Sequence, residues 1–344
     1  MIDWISATVP LSWDVPINGG ALVHYRNDGS VEWGTDKTLH LKGSHDARFS
    51  IRSVERGKVE IAGNPAKFLQ GHNLFGTDDV RGLVYDVLDR VTEAVGVQPS
   101  DADRQAWLFG GIRLSRIDIT GMYQLPTFSD VGSWLQAAGK TASVKWRGRG
   151  HYQDGTLYFG KVAKGKRSSP WQMKLYHKGA EVLVPGHRLH WDLPHREKLE
   201  EWASDKLRIE ITLRTQELKR LGLLMVADWT EEIVARTFEA YLSKLDIGEQ
   251  QMVDVEVEEA LKPSLRAAYA LWKTGVDMRA VFPRRTFYHY RKQIMTVTGA
   301  DIGTLCSVDN VVPLRRALEA KPVMFPDWAG ELMHKPRARL FAVA

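Results

Sequence analysis

The sequence contains a single cysteine in 344 residues, Cys306, which excludes a disulfide framework and any cysteine-rich zinc site. No apolar run approaches the ~20 residues that a membrane span needs. The first ten residues carry Asp3 and no basic cluster, so no secretory signal is read there. A Gly-rich phosphate loop, a nucleophile elbow and a repeat of fixed period are all missing. These absences point to a soluble cytoplasmic chain whose chemistry does not run on a bound nucleotide.

What is present is enough apolar material for a real core, 44% hydrophobic against 26% charged, in one large or two modest domains. The net charge is only +5, but it is concentrated. Residues 145–178 hold nine Lys and Arg against one acid, Asp154, and carry +8, which leaves the rest of the chain at −3. Such a stretch suits a polyanion, with Lys145, Arg147, Arg149 and Lys174 as candidate contacts to a nucleic-acid backbone. A solvated Lys-rich loop is the alternative.

Short, partly alternating segments at 2–9, 21–25, 31–34, 47–54 and 58–62 read as strands. A loop follows at 63–78. Val80, Leu83, Val84, Val87 and Val91 then form a helical stripe over 79–95. Strands are expected at 112–122, 143–147, 156–161, 172–177 and 206–214. Helices are expected from a cap at Ser129 or Asp130 to about Ala138, at 196–203 and at 230–245. Hairpin-like strand neighbours among helices favour an α+β fold, a mostly antiparallel sheet with flanking helices, over a doubly wound one.

At 248–260 the composition turns acidic, with Glu249, Asp254, Glu256, Glu258 and Glu259 and no base. The division expected is a catalytic body over 1–247, an acidic linker over 248–262 and a helical region over 263–344. In that last region a helix at 265–273, the Thr274-Gly275 turn, a short helix at 276–282 and a helix from Arg284 to Thr296 have helix-turn-helix spacing. Arg284, Arg285, Arg291 and Lys292 on the last helix are candidate DNA contacts. A basic amphipathic helix packed on the body is the alternative.

Arg116-Ile117-Asp118-Ile119 and Arg208-Ile209-Glu210-Ile211 repeat one pattern, a base and an acid on one strand face with isoleucines on the other. Carboxylates so placed are stable only when paired or metal-bound, so the pattern admits either a salt bridge or a divalent ion. Tyr176 shares strand parity with Lys174 and Lys178, which would lower the energy of a phenolate. Tyr152 and Tyr158 compete with it. His72 sits in a polar turn as a metal ligand, a DNA contact or a turn residue. No two histidines flank one bulky apolar residue, so the commonest nicking-enzyme metal site is missing.

A longer set of segments is more specific. It begins with Asn64-Pro65-Ala66-Lys67-Phe68-Leu69-Gln70-Gly71-His72-Asn73-Leu74-Phe75-Gly76-Thr77, and continues with Ser115-Arg116-Ile117-Asp118 and Leu175-Tyr176-His177-Lys178 with Glu181. Leu207-Arg208-Ile209-Glu210 and Leu218-Lys219-Arg220-Leu221-Gly222-Leu223 follow, then Asn310-Val311-Val312-Pro313-Leu314 and Pro326-Asp327-Trp328. In this order the chain resembles, nearly end to end, the gene II replication initiators of filamentous bacteriophages. The resemblance implies a rolling-circle initiator that nicks one strand of supercoiled origin DNA, stays attached through a phosphotyrosine and rejoins the displaced strand. It implies Tyr176 as the nucleophile, aided by Lys178, and Asp118, Glu181 and Glu210 as ligands of Mg²⁺ or Mn²⁺. It also implies a host helicase and polymerase as partners and the host bacterial cytoplasm as the place of action. A non-catalytic DNA-binding repressor and a metal-dependent hydrolytic nuclease are the competing functions.

Overall fold

The alternating segments assemble into one nine-stranded sheet. Its order is β10 (His151–Gln153), β11 (Thr156–Phe159), β12 (Trp171–His177), β13 (Lys206–Arg214), β7 (Arg113–Gln124), β1 (Ile2–Pro10), β6 (Lys58–Gly63), β5 (Arg48–Glu55) and β4 (Leu39–Lys42). Every pairing in it is antiparallel, as the α+β reading expects. A separate ribbon pairs β2 (Ala21–Tyr25) with β3 (Val31–Asp36). A small patch joins β8 (Ser143–Val144), β9 (Gly148–Arg149) and β14 (Leu245–Asp246). The computed structural model describes residues 1–13, 15–145, 147–153, 155–160, 169–247, 261–273, 276–298, 300–303, 317–318 and 322–337. The acidic stretch 248–260, the Thr274-Gly275 turn, the 310–314 segment and Lys161, Lys164, Lys166 and Arg167 lie outside these residues. Among the described residues no helix is long and apolar enough to cross a membrane.

Side-chain alternation makes the central strands two-faced. Ile117, Ile119, Leu175, Ile209 and Ile211 are fully buried in the main hydrophobic core. Each such side chain contributes roughly 1.5–3 kcal/mol of burial free energy. The helix Val80–Val95 adds its predicted stripe to the same core. Asp79 caps it by accepting from the Gly82 amide at 2.9 Å, and Gly96 ends it with φ 69°.

Local readings fail where a cap outweighs a weak apolar pattern. The expected loop 63–78 contains the helix Pro65–Gln70, because Asn64 Oδ1 accepts from the Lys67 amide at 2.7 Å and Pro65 occupies the first turn. Helix Asp101–Leu108 is likewise an addition, held by a Ser100–Asp103 capping box. Helix Thr215–Leu221 is a further addition, with no side-chain cap at its start and Gly222 ending it at φ 72°. The helix expected to start at Ser129 or Asp130 is Phe128–Thr141, capped by Thr127. Of the strand expected at 143–147 only β8 at Ser143–Val144 is formed, and β9 pairs with it from beyond that range.

The C-terminal region divides differently from the expectation of one helical unit over 263–344. Helices Pro263–Lys273, Met278–Val281 and Arg284–Thr298 share their own apolar cluster, including Leu265, Tyr269, Met278, Phe287 and Ile294. Residues 322–337 instead pack on the body built around the large sheet. The Val323 amide donates to the Met122 carbonyl at 2.7 Å, and the His334 amide donates to Gln70 Oε1 at 2.7 Å. The Phe325 and Trp328 rings meet Phe75 edge-on at 5.4 and 5.5 Å. Two segments of the sequence signature far apart in the chain are therefore in contact.

Phe75 is fully buried at this junction. Phe75→Ala should destabilise the protein by about 3–5 kcal/mol, read from urea unfolding. It should also speed hydrogen exchange at the Val323 and His334 amides. Unchanged exchange there would mean that the tail is not held by this contact.

Candidate active site

The polar face of the central strands carries the predicted site. In register, Tyr176 on β12 lies opposite Arg208 on β13, and Lys174 lies opposite Glu210. Glu210 in turn faces Thr120 on β7, while Asp118 faces Thr212 of β13 and Trp4 of β1. Of these, Tyr176, Lys174, Glu210, Asp118 and Trp4 border a cleft of about 960 Å³. Tyr152 and Tyr158 reach the same cleft, as do Phe128, and Met295 and Asp301 from the C-terminal region.

Each carboxylate of the expected metal set is closed by a cation. Asp118, 1% exposed, accepts from Arg116 Nε at 2.8 Å and also from Arg116 Nη2. Glu210 Oε1 accepts from Lys174 Nζ at 2.5 Å. Glu181, at the end of the short helix Lys178–Glu181 that follows β12, accepts from Lys178 Nζ at 2.5 Å. Burial and the nearby Asp118 charge push the Glu210 carboxyl up to about 7, against the pull of Lys174. Asp118 and Glu210 therefore crowd each other, and two hard-oxygen donors under mutual repulsion fit a divalent cation. Glu181 lines the same cleft but is paired with Lys178. Among the described residues no group of three or more His, Cys, Asp or Glu side chains is disposed to hold a metal ion.

Tyr176 is 9% exposed, and burial pushes its phenol well above the ordinary tyrosine range. The expectation that Lys174 and Lys178 favour its phenolate is corrected by their ion pairs. The cation that most favours ionisation is Arg208, while Glu181, Glu210 and Asp3 oppose it. Lys178, 2% exposed, directs its donors to Glu181 and to Asn73 Oδ1 at 3.0 Å. Lys174 is likewise part of the site's internal pairing, at the lining of the cleft.

Sequence reasoning missed the members that organise this face. Arg208 is wholly buried and does not pair with Glu210, its neighbour in the tetrapeptide. Its Nη2 donates to Asp3 Oδ1 at 2.6 Å and Thr120 Oγ1 at 3.2 Å, and its Nη1 donates to the Asn73 carbonyl at 2.6 Å. Asp3 Oδ1 also accepts from Asn64 Nδ2 at 2.8 Å and Asn73 Nδ2 at 2.9 Å. The first-strand acid and the turn asparagines thus converge on the second tetrapeptide. Parity alone could place Arg208 on the right face, but not opposite Tyr176.

Other predicted contacts are redistributed. His72 is 1% exposed and reaches neither solvent nor the cleft. Its Nε2 bonds the Leu332 carbonyl at 3.1 Å, and burial pushes the imidazole down to about 4, so it is a neutral clasp on the C-terminal tail. Arg291 makes a bidentate pair with Asp301, both distances 2.5 Å, which ties its helix to the segment that follows. Arg284, Arg285 and Lys292 are exposed on that helix. Lys145 is exposed, Arg147 is half-buried with its guanidinium 4.8 Å from the Trp171 ring, and only the backbone of Arg149 is described.

Comparison with known proteins adds to this geometry. Residues 1–232 match the family model for the N-terminal part of the phage replication-associated protein, the gene II protein, and residues 238–333 match the model for its C-terminal part. The replication-associated gene II protein of Enterobacteria phage I2-2 is 37% identical over 339 residues, 95% of each chain. No solved structure matches the chain.

The His72 shift makes a signed prediction. A folded value near 4 against 6.5 for the ordinary imidazole means that the unfolded chain binds the extra proton. The contribution is present above pH 6.5 and is lost as pH falls through 4, amounting to about 3 kcal/mol at most. His72→Gln should flatten this part of the stability–pH curve measured by urea unfolding. An unchanged slope would place the titrating group elsewhere.

Proposed function

The chain belongs to the family of phage replication-associated gene II proteins, and on that footing we propose that it initiates rolling-circle replication, nicking one strand of a supercoiled origin through Tyr176 and later rejoining the displaced strand. The observation that carries this reading is the setting of Tyr176. Of the three tyrosines that reach the cleft, it is the one opposite a buried arginine and influenced by the carboxylates Glu181 and Glu210.

In nicking, the phenolic oxygen forms a bond to phosphorus and the bond to the departing 3′ oxygen breaks. The phenolic proton passes to solvent, and the 3′ oxygen takes one up. A polymerase needs that 3′ hydroxyl, so the tyrosine keeps the 5′ phosphate. One phosphoester replaces another, and rejoining therefore needs no ATP. Strand separation does need energy, which a host helicase supplies in the bacterial cytoplasm before a host polymerase copies the circle.

Asp118 and Glu210 are the residues that would hold Mg²⁺ or Mn²⁺, which when bound polarises the scissile phosphate. Glu181 serves instead by fixing Lys178, and Lys178 by fixing Asn73. Exposed Arg284, Arg285 and Lys292 supply backbone contacts on the duplex side, in a helix-turn-helix-like unit that ends at the edge of the cleft. Lys145, Arg147 and Arg149 extend the basic track.

Supercoiled DNA of the replicon that encodes this chain, incubated with Mg²⁺ and resolved on a denaturing gel, tests the reading. Wild type should leave a protein–DNA adduct, and Tyr176→Phe should abolish both nick and adduct while retaining DNA binding. Free nicks from the Phe variant would indicate a hydrolytic nuclease, and a mobility shift without nicking by wild type would indicate a repressor. Asp118→Asn should weaken metal-dependent nicking on the order of 10–100-fold and, by removing the partner of Arg116, also lower the melting temperature; a lowered melting temperature with near-normal nicking would make the pair purely structural. Joint replacement Arg285→Ala and Lys292→Ala should lower the salt slope of duplex binding by about two. An unchanged slope would remove this helix from the DNA interface.

A further inference from the structure

The positive charges around Tyr176 are unequally committed. Lys174 is tied to Glu210, Lys178 to Glu181 and Asn73, and Arg116 to Asp118. Arg208 differs. It is held by three oxygens, Asp3 Oδ1, Thr120 Oγ1 and the Asn73 carbonyl, all through its two terminal nitrogens. The carboxylate among these is shared, because Asp3 Oδ1 also takes the Asn64 and Asn73 amides. Arg208 Nε is buried with no hydrogen-bond acceptor among the described residues. A buried N–H without a partner is unfavourable and rare in folded proteins.

The strand register puts this guanidinium opposite Tyr176. We propose that Arg208 is the electrostatic partner of the Tyr176 oxygen, stabilising the phenolate when it attacks in nicking and when it departs in rejoining. The inference rests on the reading of Tyr176 as nucleophile. Arg208 is absent from the cleft lining, so it acts from behind the tyrosine and leaves the front free for DNA. In nicking the Oη–P bond forms, the P–O3′ bond breaks, and the phenolic proton goes to solvent. In rejoining the same bonds exchange in reverse and negative charge returns to the phenolic oxygen. A fixed cation serves both directions because the charge is on one atom at the start of one and the end of the other. The Asp3–Asn73 clasp keeps it fixed, so little reorganisation accompanies the reaction.

The test is single-turnover adduct formation by the full chain on the same supercoiled DNA at pH 7. Arg208→Gln should slow it on the order of 100-fold, with DNA affinity little changed. Replacing Tyr176 by 2,3,5-trifluorotyrosine, whose phenol ionises more readily, should restore about tenfold or more in the Arg208→Gln chain and change little when Arg208 is present. Arg208→Lys should lie between. A folded Arg208→Gln chain that nicks at the wild-type rate, or a loss that fluorination does not restore, would overturn the proposal. Should circular dichroism show Arg208→Gln unfolded, Asp3→Asn keeps the guanidinium and weakens its anchor. About tenfold loss with the same recovery is then expected, and absence of either overturns the idea. Adduct formation by Tyr176→Phe is a separate outcome that would reject the nucleophile itself, and the proposal with it.

Discussion

The Asp3–Arg208 ion pair is the constraint on which the rest of this face depends. Arg208 has no solvent, so its charge must be met from within the protein, and the pairing joins residues from four parts of the chain. Asp3 comes from the first strand, Thr120 from β7, Asn73 from the turn that follows the Pro65–Gln70 helix, and Arg208 itself from β13. Breaking a buried pair by removing one partner costs about 3–5 kcal/mol, far more than an exposed pair contributes. The pair therefore locks the turn, the first strand and the two central strands into one register. Asn73 extends the lock to Lys178, and through it to Glu181.

The same need for charge compensation shapes the cleft. A cleft lined by Asp3, Asp118, Glu181 and Glu210 would be unstable without matching cations, and Arg208, Arg116, Lys178 and Lys174 provide them one for one. The balance is incomplete at Glu210, whose carboxyl is pushed up by burial and by Asp118. Stability alone would favour a quieter arrangement. Functional sites are where such local conflict is expected in an otherwise consistent fold.

The C-terminal part acts on the body in two ways. The three helices have a core of their own, and Met295 and Asp301 from this region reach the cleft edge, so the basic helix and Tyr176 border one space. The tail returns to the other end of the site and covers Phe75 and His72. A turn that supplies Asn73 to the buried arginine is thereby clamped from outside by an element roughly 260 positions later. The order of the two segments in the sequence signature acquires a physical meaning, since each is packed against the other.

The sequence by itself determined the α+β class, the two-faced central strands, the Val80–Val95 stripe and the three C-terminal helices, because these follow from local periodicity and capping chemistry. The parity of the two tetrapeptides was also legible, so each acid could be placed on the face away from its isoleucines, and Tyr176 on the face of Lys174; that these faces are one was decided by the sheet. Tertiary structure alone decided who pairs with whom. Arg116 takes the acid two residues away, yet Arg208 ignores Glu210 for Asp3, because antiparallel register and depth in the sheet set the distances. Lys174 and Lys178 share the tyrosine's parity and still contribute little to its ionisation, being neutralised by carboxylates from β13 and from the next turn of chain. His72 and Arg291 read as DNA contacts by residue type, yet His72 is buried and Arg291 is held by Asp301. Periodicity reports which face a side chain takes. Charge compensation is a sum over neighbours from every strand, and that sum exists only once the chain has folded.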